Sequence, residues 1–104
     1  MTATLIYVTA SSDEEARRIG GAVVAERLAA CANLLPGMTS MFWWEGRVQE
    51  AREVTIILKT REELVGRLTD RVRELHSYDC PCIVALPVTG GSKAFIDWIV
   101  AETS

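Results

Sequence analysis

What the chain lacks narrows its options first. No apolar run among its 104 residues approaches the ~18–20 that a membrane-spanning helix requires. Eleven Lys and Arg stand against 14 Asp and Glu, for a net charge of −3, so the basic footprint expected of a nucleic-acid binder is missing. Cysteine is scarce. Cys31, Cys80 and Cys82 are odd in number and irregularly spaced, which argues against a disulfide-stapled secreted scaffold. The segment Met1 to Thr9 carries no Lys or Arg ahead of its apolar stretch, unlike a secretory leader. The expectation is a cytoplasmic protein with reduced thiols. With 49% hydrophobic and 24% charged residues, the chain has a globular rather than a disordered composition. No linker, repeat or low-complexity stretch interrupts it, so residues 1–104 are expected to form a single domain.

What is present reads as alternating elements. Thr4 to Thr9 is β-branched and aromatic, a buried strand. Ser12-Asp13-Glu14-Glu15 has the form of a capping box, with the Ser12 hydroxyl on the Glu15 N–H and the Glu15 carboxylate on that of Ser12. A helix follows, with Ala16, Ile19, Val23, Val24 and Leu28 on or near one face. Gly20 and Gly21 cost it about 1 kcal/mol each relative to Ala, a cost consistent with close packing on a sheet. From Cys31 to Trp44 the pattern is a long strand bent at Pro36-Gly37, and a proline there marks an edge. Glu45-Gly46 turns the chain, and Arg47 to Lys59 returns as the second arm of a hairpin. Thr60-Arg61-Glu62-Glu63 reads as a second capping box before Leu64, Leu68, Val72 and Leu75 at helical spacing. Ile83 to Leu86 is a fourth strand. Gly90-Gly91-Ser92 caps a last helix lined by Phe95, Ile96, Ile99 and Val100.

The order β-α-β-β-α-β plus a terminal helix predicts an α+β fold, the ferredoxin-like split βαβ sandwich, with sheet order 4-1-3-2 and both long helices on one face. Ile56 and Leu58 then point one way and Ile57 the other; Met41 and Trp43 likewise oppose Phe42 and Trp44. Two helices cover only one of these sets. The remainder is too apolar for a monomer, and a second copy of the chain is the simplest cover.

Several segments resemble one family. Glu26-Arg27-Leu28-Ala29-Ala30-Cys31-Ala32-Asn33 with Leu35-Pro36-Gly37, then Trp44-Glu45-Gly46, Ile57-Leu58-Lys59-Thr60, His76-Ser77-Tyr78-Asp79, Ala85-Leu86-Pro87-Val88 and Gly91-Ser92 are similar, in order, to the CutA divalent-cation tolerance proteins. The resemblance implies a homotrimer built like the PII signal proteins, with long hairpins wrapping neighbouring subunits. It also implies cytoplasmic location, divalent-metal binding (copper above all), a role in metal tolerance and no established enzymatic chemistry. The family usually shows His-Pro-Tyr-Glu where this chain has His76-Ser77-Tyr78-Asp79. It favours glutamate at Cys82 and a valine-like residue at Cys80, so the local donors shift from carboxylate toward thiolate.

The candidate metal residues are His76, Asp79, Cys80, Cys82 and Cys31. His76, Cys80 and Cys82 form H-x3-C-P-C, and imidazole with thiolates suits copper or zinc. The plain alternatives are packed free cysteines and a histidine that finishes a helix. Cys31 falls at the opposite end of the sheet from Cys82, so a three-thiol site within one chain is not expected. Lys59, Tyr78 and Trp44 are candidates for an intersubunit ligand cleft. There a PII-like protein would bind a small anionic metabolite, the alternative function. Gly90-Gly91-Ser92-Lys93 lacks the phosphate-loop spacing. Gly46-Arg47-Val48-Gln49 resembles part of the acylphosphatase phosphate loop, but it lies on the hairpin and is followed by Glu50, which would repel phosphate. No nucleophile–base pair supports an enzyme.

Overall fold

A computed structural model describes residues 2–104; Met1, the first residue of the segment read for a leader, lies outside them. The elements are β1 (Ala3–Ala10), α1 (Asp13–Ala25), β2 (Cys31–Trp44), β3 (Arg47–Arg61), a 3₁₀ turn (Glu62–Leu64), α2 (Val65–Leu75), β4 (Ile83–Pro87) and α3 (Lys93–Glu102). The sheet runs β2-β3-β1-β4 with every neighbour antiparallel, which is the expected 4-1-3-2 order. Among the described residues no helix is long and apolar enough to cross a membrane.

Strand alternation divides the sheet into two faces. Ile6, Val8, Val54, Ile56 and Leu58 face α1 and α2, where they meet Ile19, Val23, Leu68 and Val72 in one aliphatic core. The other face carries Leu5, Tyr7, Ile57, Val84 and Leu86 by register. α3 takes one end of it: Ile99 is buried, Phe95 lies under the Lys59 ammonium at 5.3 Å, and Arg61 Nε donates to the Thr103 carbonyl at 3.0 Å. Of the helix's apolar residues only Ile99 is fully enclosed; Phe95 stays exposed. The third helix thus covers part of the second face, and Leu35, Val84 and Leu86 remain about half exposed.

The hairpin is the longest feature. Trp44-Glu45-Gly46-Arg47 turns with φ of 50° at Glu45 and 75° at Gly46, the left-handed pair that a two-residue hairpin demands. The register slips between Leu35 and Met38, so Pro36 and Gly37 form a bulge, with Gly37 at φ 81°. Proline is tolerated because β2 is an edge strand.

Two capping expectations need correction. Ser12 does cap α1, accepting from the Glu15 N–H at 3.1 Å, but the Glu15 carboxylate reaches Ser11 rather than Ser12. The second box does not form. Thr60 stays in β3, fully buried, and its hydroxyl donates to the Leu28 carbonyl at 2.7 Å; α2 begins after the 3₁₀ turn with no side-chain cap. A buried hydroxyl with a tertiary acceptor outweighs the local cap, since leaving it unpaired costs ~1–3 kcal/mol.

The two adjacent glycines of α1 differ. A Cβ on Gly20 would meet Ala32 Cβ at 3.2 Å and Leu34 Cδ1 at 3.4 Å, whereas one on Gly21 would meet nothing within 4 Å. Gly20→Leu is therefore expected to destabilise the fold by about 1–3 kcal/mol through overpacking. Gly21→Ala should stabilise it by about 0.5–1 kcal/mol through helix propensity. Urea unfolding of both variants checks this, and equal effects would contradict the packing.

Candidate functional site

Residues that follow α2 converge on the ends of α1 and β1. α2 stops because His76 leaves the helical region, at φ −83° and ψ 145°. The last carbonyl of α2, on Leu75, is taken by Arg18 of α1 at 3.0 Å. The His76 ring is buried beneath this crossing. Its Nδ1 accepts from the Tyr78 backbone N–H at 3.1 Å, and its Nε2 lies 2.7 Å from the Thr9 carbonyl. An amide N–H only donates and a carbonyl only accepts. The ring is thus the neutral Nε2–H tautomer with both nitrogens engaged.

Beside it sits Glu15, buried, with its nearer oxygen 3.9 Å from His76 Nδ1. The carboxylate accepts from the Ser11 N–H at 2.9 Å, the Ser11 hydroxyl at 3.0 Å and the Ser77 N–H at 2.8 Å. Burial pushes its pKa up, but the hydrogen bonds from Ser77 and Ser11 outweigh it and bring the carboxyl down to about 2.

Tyr78 stacks on His76 with ring centroids 4.7 Å apart, and its hydroxyl donates to Glu53 Oε2 at 2.9 Å. Burial and the Glu53 carboxylate raise the phenol to about 12. Cys82 is exposed as a residue, yet partial burial of its thiol and the Glu53 carboxylate both push its pKa up. Met38, the cross-strand partner of Glu53, receives the Thr55 hydroxyl on its sulfur at 2.9 Å.

An open groove of about 490 Å³ runs along this region between Asp70, Arg73 and Glu74 of α2 and Ser77, Asp79 and Pro81 of the loop. The structure therefore brings His76, Tyr78, Asp79 and the C-P-C segment to one end of the sheet. It does not bring the other candidates there. Cys31 pairs with Lys59 across β2 and β3, in the row of Leu5 and Leu86. That row lies roughly 13 Å along the strands from Cys82, on the opposite edge of the sheet and about 14 Å across it. Lys59 has its ammonium over Phe95, and Trp44 stands exposed at the hairpin tip. Among the described residues no group of three or more His, Cys, Asp or Glu side chains is placed to hold a metal ion. His76 in particular serves the packing, since it offers no free nitrogen in this arrangement.

Sequence reasoning does not single out two residues that matter here. Glu15 is visible only as a cap; its partner Ser77 lies 62 residues away. Glu53 leaves one signal: it shares the alternation of Thr55 and Ile57, which makes it a charge on an otherwise apolar face.

Residues 4–102 match the family model described as CutA1 divalent ion tolerance protein. The divalent-cation tolerance protein CutA of Archaeoglobus fulgidus is 48% identical over 94 residues, 90% of this chain and 91% of that protein. A chloroplastic CutA 1 protein of rice is 42% identical over 95% of this chain, which spans only 56% of the rice protein's length. The solved divalent cation tolerance protein of Thermus thermophilus superposes with a TM-score of 0.95 at 41% identity, covering 98% of this chain and 99% of that one.

The Glu15 geometry sets a pH dependence. A carboxyl held at about 2 when folded, against an ordinary 4.5, contributes about 3 kcal/mol of stability. That contribution is complete above pH 4.5 and fades as the pH falls toward 2. Glu15→Gln should therefore lower the unfolding free energy by about 3 kcal/mol at pH 7, with the gap to the parent closing through the acid range. A gap that stays constant with pH would show that the charge is not the source.

Proposed function

The chain belongs to the CutA1 divalent ion tolerance family, and from that premise we propose that it acts as a homotrimer that binds divalent metal, copper foremost, between its subunits. The observation that carries this is the combination of an incomplete site and an uncovered surface. Zinc takes four ligands and magnesium or calcium six or more, and no single chain gathers even three of the usual donor side chains among the described residues. A neighbour is the source of further side-chain donors in this reading. The surface for a neighbour is there. Met41 and Trp43 are 72% and 74% exposed on the hairpin, and the uncovered sheet face adds Leu35, Val84 and Leu86. By register Met41 and Trp43 project to the opposite face of the strands from Leu35, Val84 and Leu86, and exposed aromatic and aliphatic side chains on both faces are what neighbours in an obligate assembly bury.

Copper is favoured over magnesium or calcium by donor chemistry. The chain supplies three free thiols, and soft donors select copper and zinc over hard cations. In this reading the protein serves metal tolerance in the cytoplasm by sequestration and carries out no reaction of its own. An anionic metabolite would call on Lys59, whose ammonium is already placed over the Phe95 ring.

Light scattering at micromolar concentration should give three times the chain mass of 11.5 kDa. Trp43→Asp, at an exposed position of the single chain, should leave circular dichroism intact, yield monomers and remove Cu(II) binding measured by calorimetry. A folded parent protein of single-chain mass would refute the assembly. A trimer that binds no divalent ion would refute the metal role.

A further inference from the structure

The uncovered face of the sheet carries few charges, and all of them come from one strand. β1, β2 and β4 contain no Asp, Glu, Lys or Arg. Alternation along β3 puts Arg47, Glu53, Lys59 and Arg61 on the side away from Val54, Ile56 and Leu58. Two of the three cations are engaged within the chain. The Lys59 ammonium lies over Phe95, and Arg61 donates to the Thr103 carbonyl and approaches Glu63 at 3.7 Å. Glu53 and Arg47 form no ion pair among the described residues. Nor can they meet each other, since six residues of one strand hold them roughly 20 Å apart at ~3.3 Å each.

We propose that Glu53 of one copy pairs with Arg47 at the hairpin tip of a neighbouring copy, and that this contact sets the register of the assembly. The proposal rests on the homotrimer reading above and goes beyond it by naming the residues that fix how the copies meet.

The face is continuous. Leu35, Met38, Phe42 and Trp44 of β2 share it with Arg47, Gln49 and Glu53 of β3, so a neighbour lying on Leu35 also meets this row. The hairpin draws the molecule out to 43 Å against 25 and 23 Å in the other directions, and Arg47 is exposed at its tip. Glu53 is half-buried at the base of the arm. Its Oε2 accepts from the Tyr78 hydroxyl at 2.9 Å, which aims the carboxylate and leaves its other oxygen able to accept. Sealing that charge under an apolar neighbour without a cation is costly. A guanidinium fork is the donor that suits a carboxylate.

Direction follows from the separation. The tip of one arm lies at the base of the next, so each copy gives its cation to one neighbour and its anion to the other. Such a head-to-tail contact closes in a ring. A shifted register that set Glu53 against Glu53, or Arg47 against Arg47, would oppose like charges, so the pair rejects wrong registers as well as favouring the right one.

Subunit exchange between unlabelled and isotope-labelled protein, followed by native mass spectrometry, reads the strength of the contact. Arg47→Glu and Glu53→Arg are each expected to speed exchange by about 30-fold or more, or to yield monomers, because losing one partner of a buried charge pair acts on the dissociation rate. The Arg47→Glu/Glu53→Arg double variant restores opposite charges in exchanged positions and should return the rate to within about fivefold of the parent. Tyr78→Phe keeps the Glu53 charge and should have a smaller effect than Glu53→Arg, which separates the charge from its phenol contact. Circular dichroism checks that each variant is folded, and Arg47→Glu, at an exposed tip position, carries the test where Glu53→Arg is not. Single reversals that leave exchange unchanged, or a folded double variant as impaired as either single, overturn the pair and leave the trimer standing. A parent protein of single-chain mass overturns the pair and the assembly reading together.

Discussion

The Glu15 carboxylate is the point on which the upper half of the molecule depends. Three segments distant in sequence end beside it: the exit of β1 at Ser11, the first turn of α1, and the chain leaving α2 at Ser77. Ser11 and Ser77 present the donors, and the first turn of α1 carries the acceptor. One ionised carboxylate satisfies three of them. Charge-assisted hydrogen bonds of this kind outweigh the cost of burying the ion. His76 completes the arrangement from the other side, tying Thr9 to Tyr78 through its two nitrogens. The same group of contacts orients Tyr78 toward Glu53, so the base of the hairpin is registered on the loop before β4 through a short chain of side chains.

The topology is legible in the sequence because its signals are periodic. Alternation in β1 and β3, the i, i+4 spacing of Leu64, Leu68 and Val72, and the turn residues Glu45-Gly46 each point to one structure, and the sheet order follows from the sequence of elements. The sequence misleads where a local motif competes with a distant partner. Thr60 has every local feature of a cap, but the Leu28 carbonyl is 32 residues away and invisible to any window. His76 reads as a ligand because a solitary histidine near two cysteines has that chemistry; only the fold shows both of its nitrogens occupied. The separation of Cys31 from Cys82 is readable, since it follows from strand direction alone. The role of Glu53 is not, because its relation to Tyr78 and Cys82 depends on how the loop before β4 folds back over the sheet.

The described residues gather no group of three or more His, Cys, Asp or Glu side chains. Ligands shared between copies would couple metal binding to association and hence to protein concentration. Divalent ion tolerance is the description of the family to which the chain belongs.

The core has a further consequence for how the molecule reports on itself. Its cluster is built from Ala, Val, Ile and Leu, while Trp43, Trp44 and Trp98 are 74%, 55% and 41% exposed. Indole emission depends on local polarity, so the fluorescence of this protein is a signal from its surface. Docking of one face of the hairpin arm against another body would dry Trp43 or Trp44, which point to opposite faces, and shift the spectrum to the blue. Unfolding reaches the third indole, because Trp98 packs against Phe95 with ring centroids 5.3 Å apart. A blue shift with no change in the backbone signal therefore follows the arm's contacts alone.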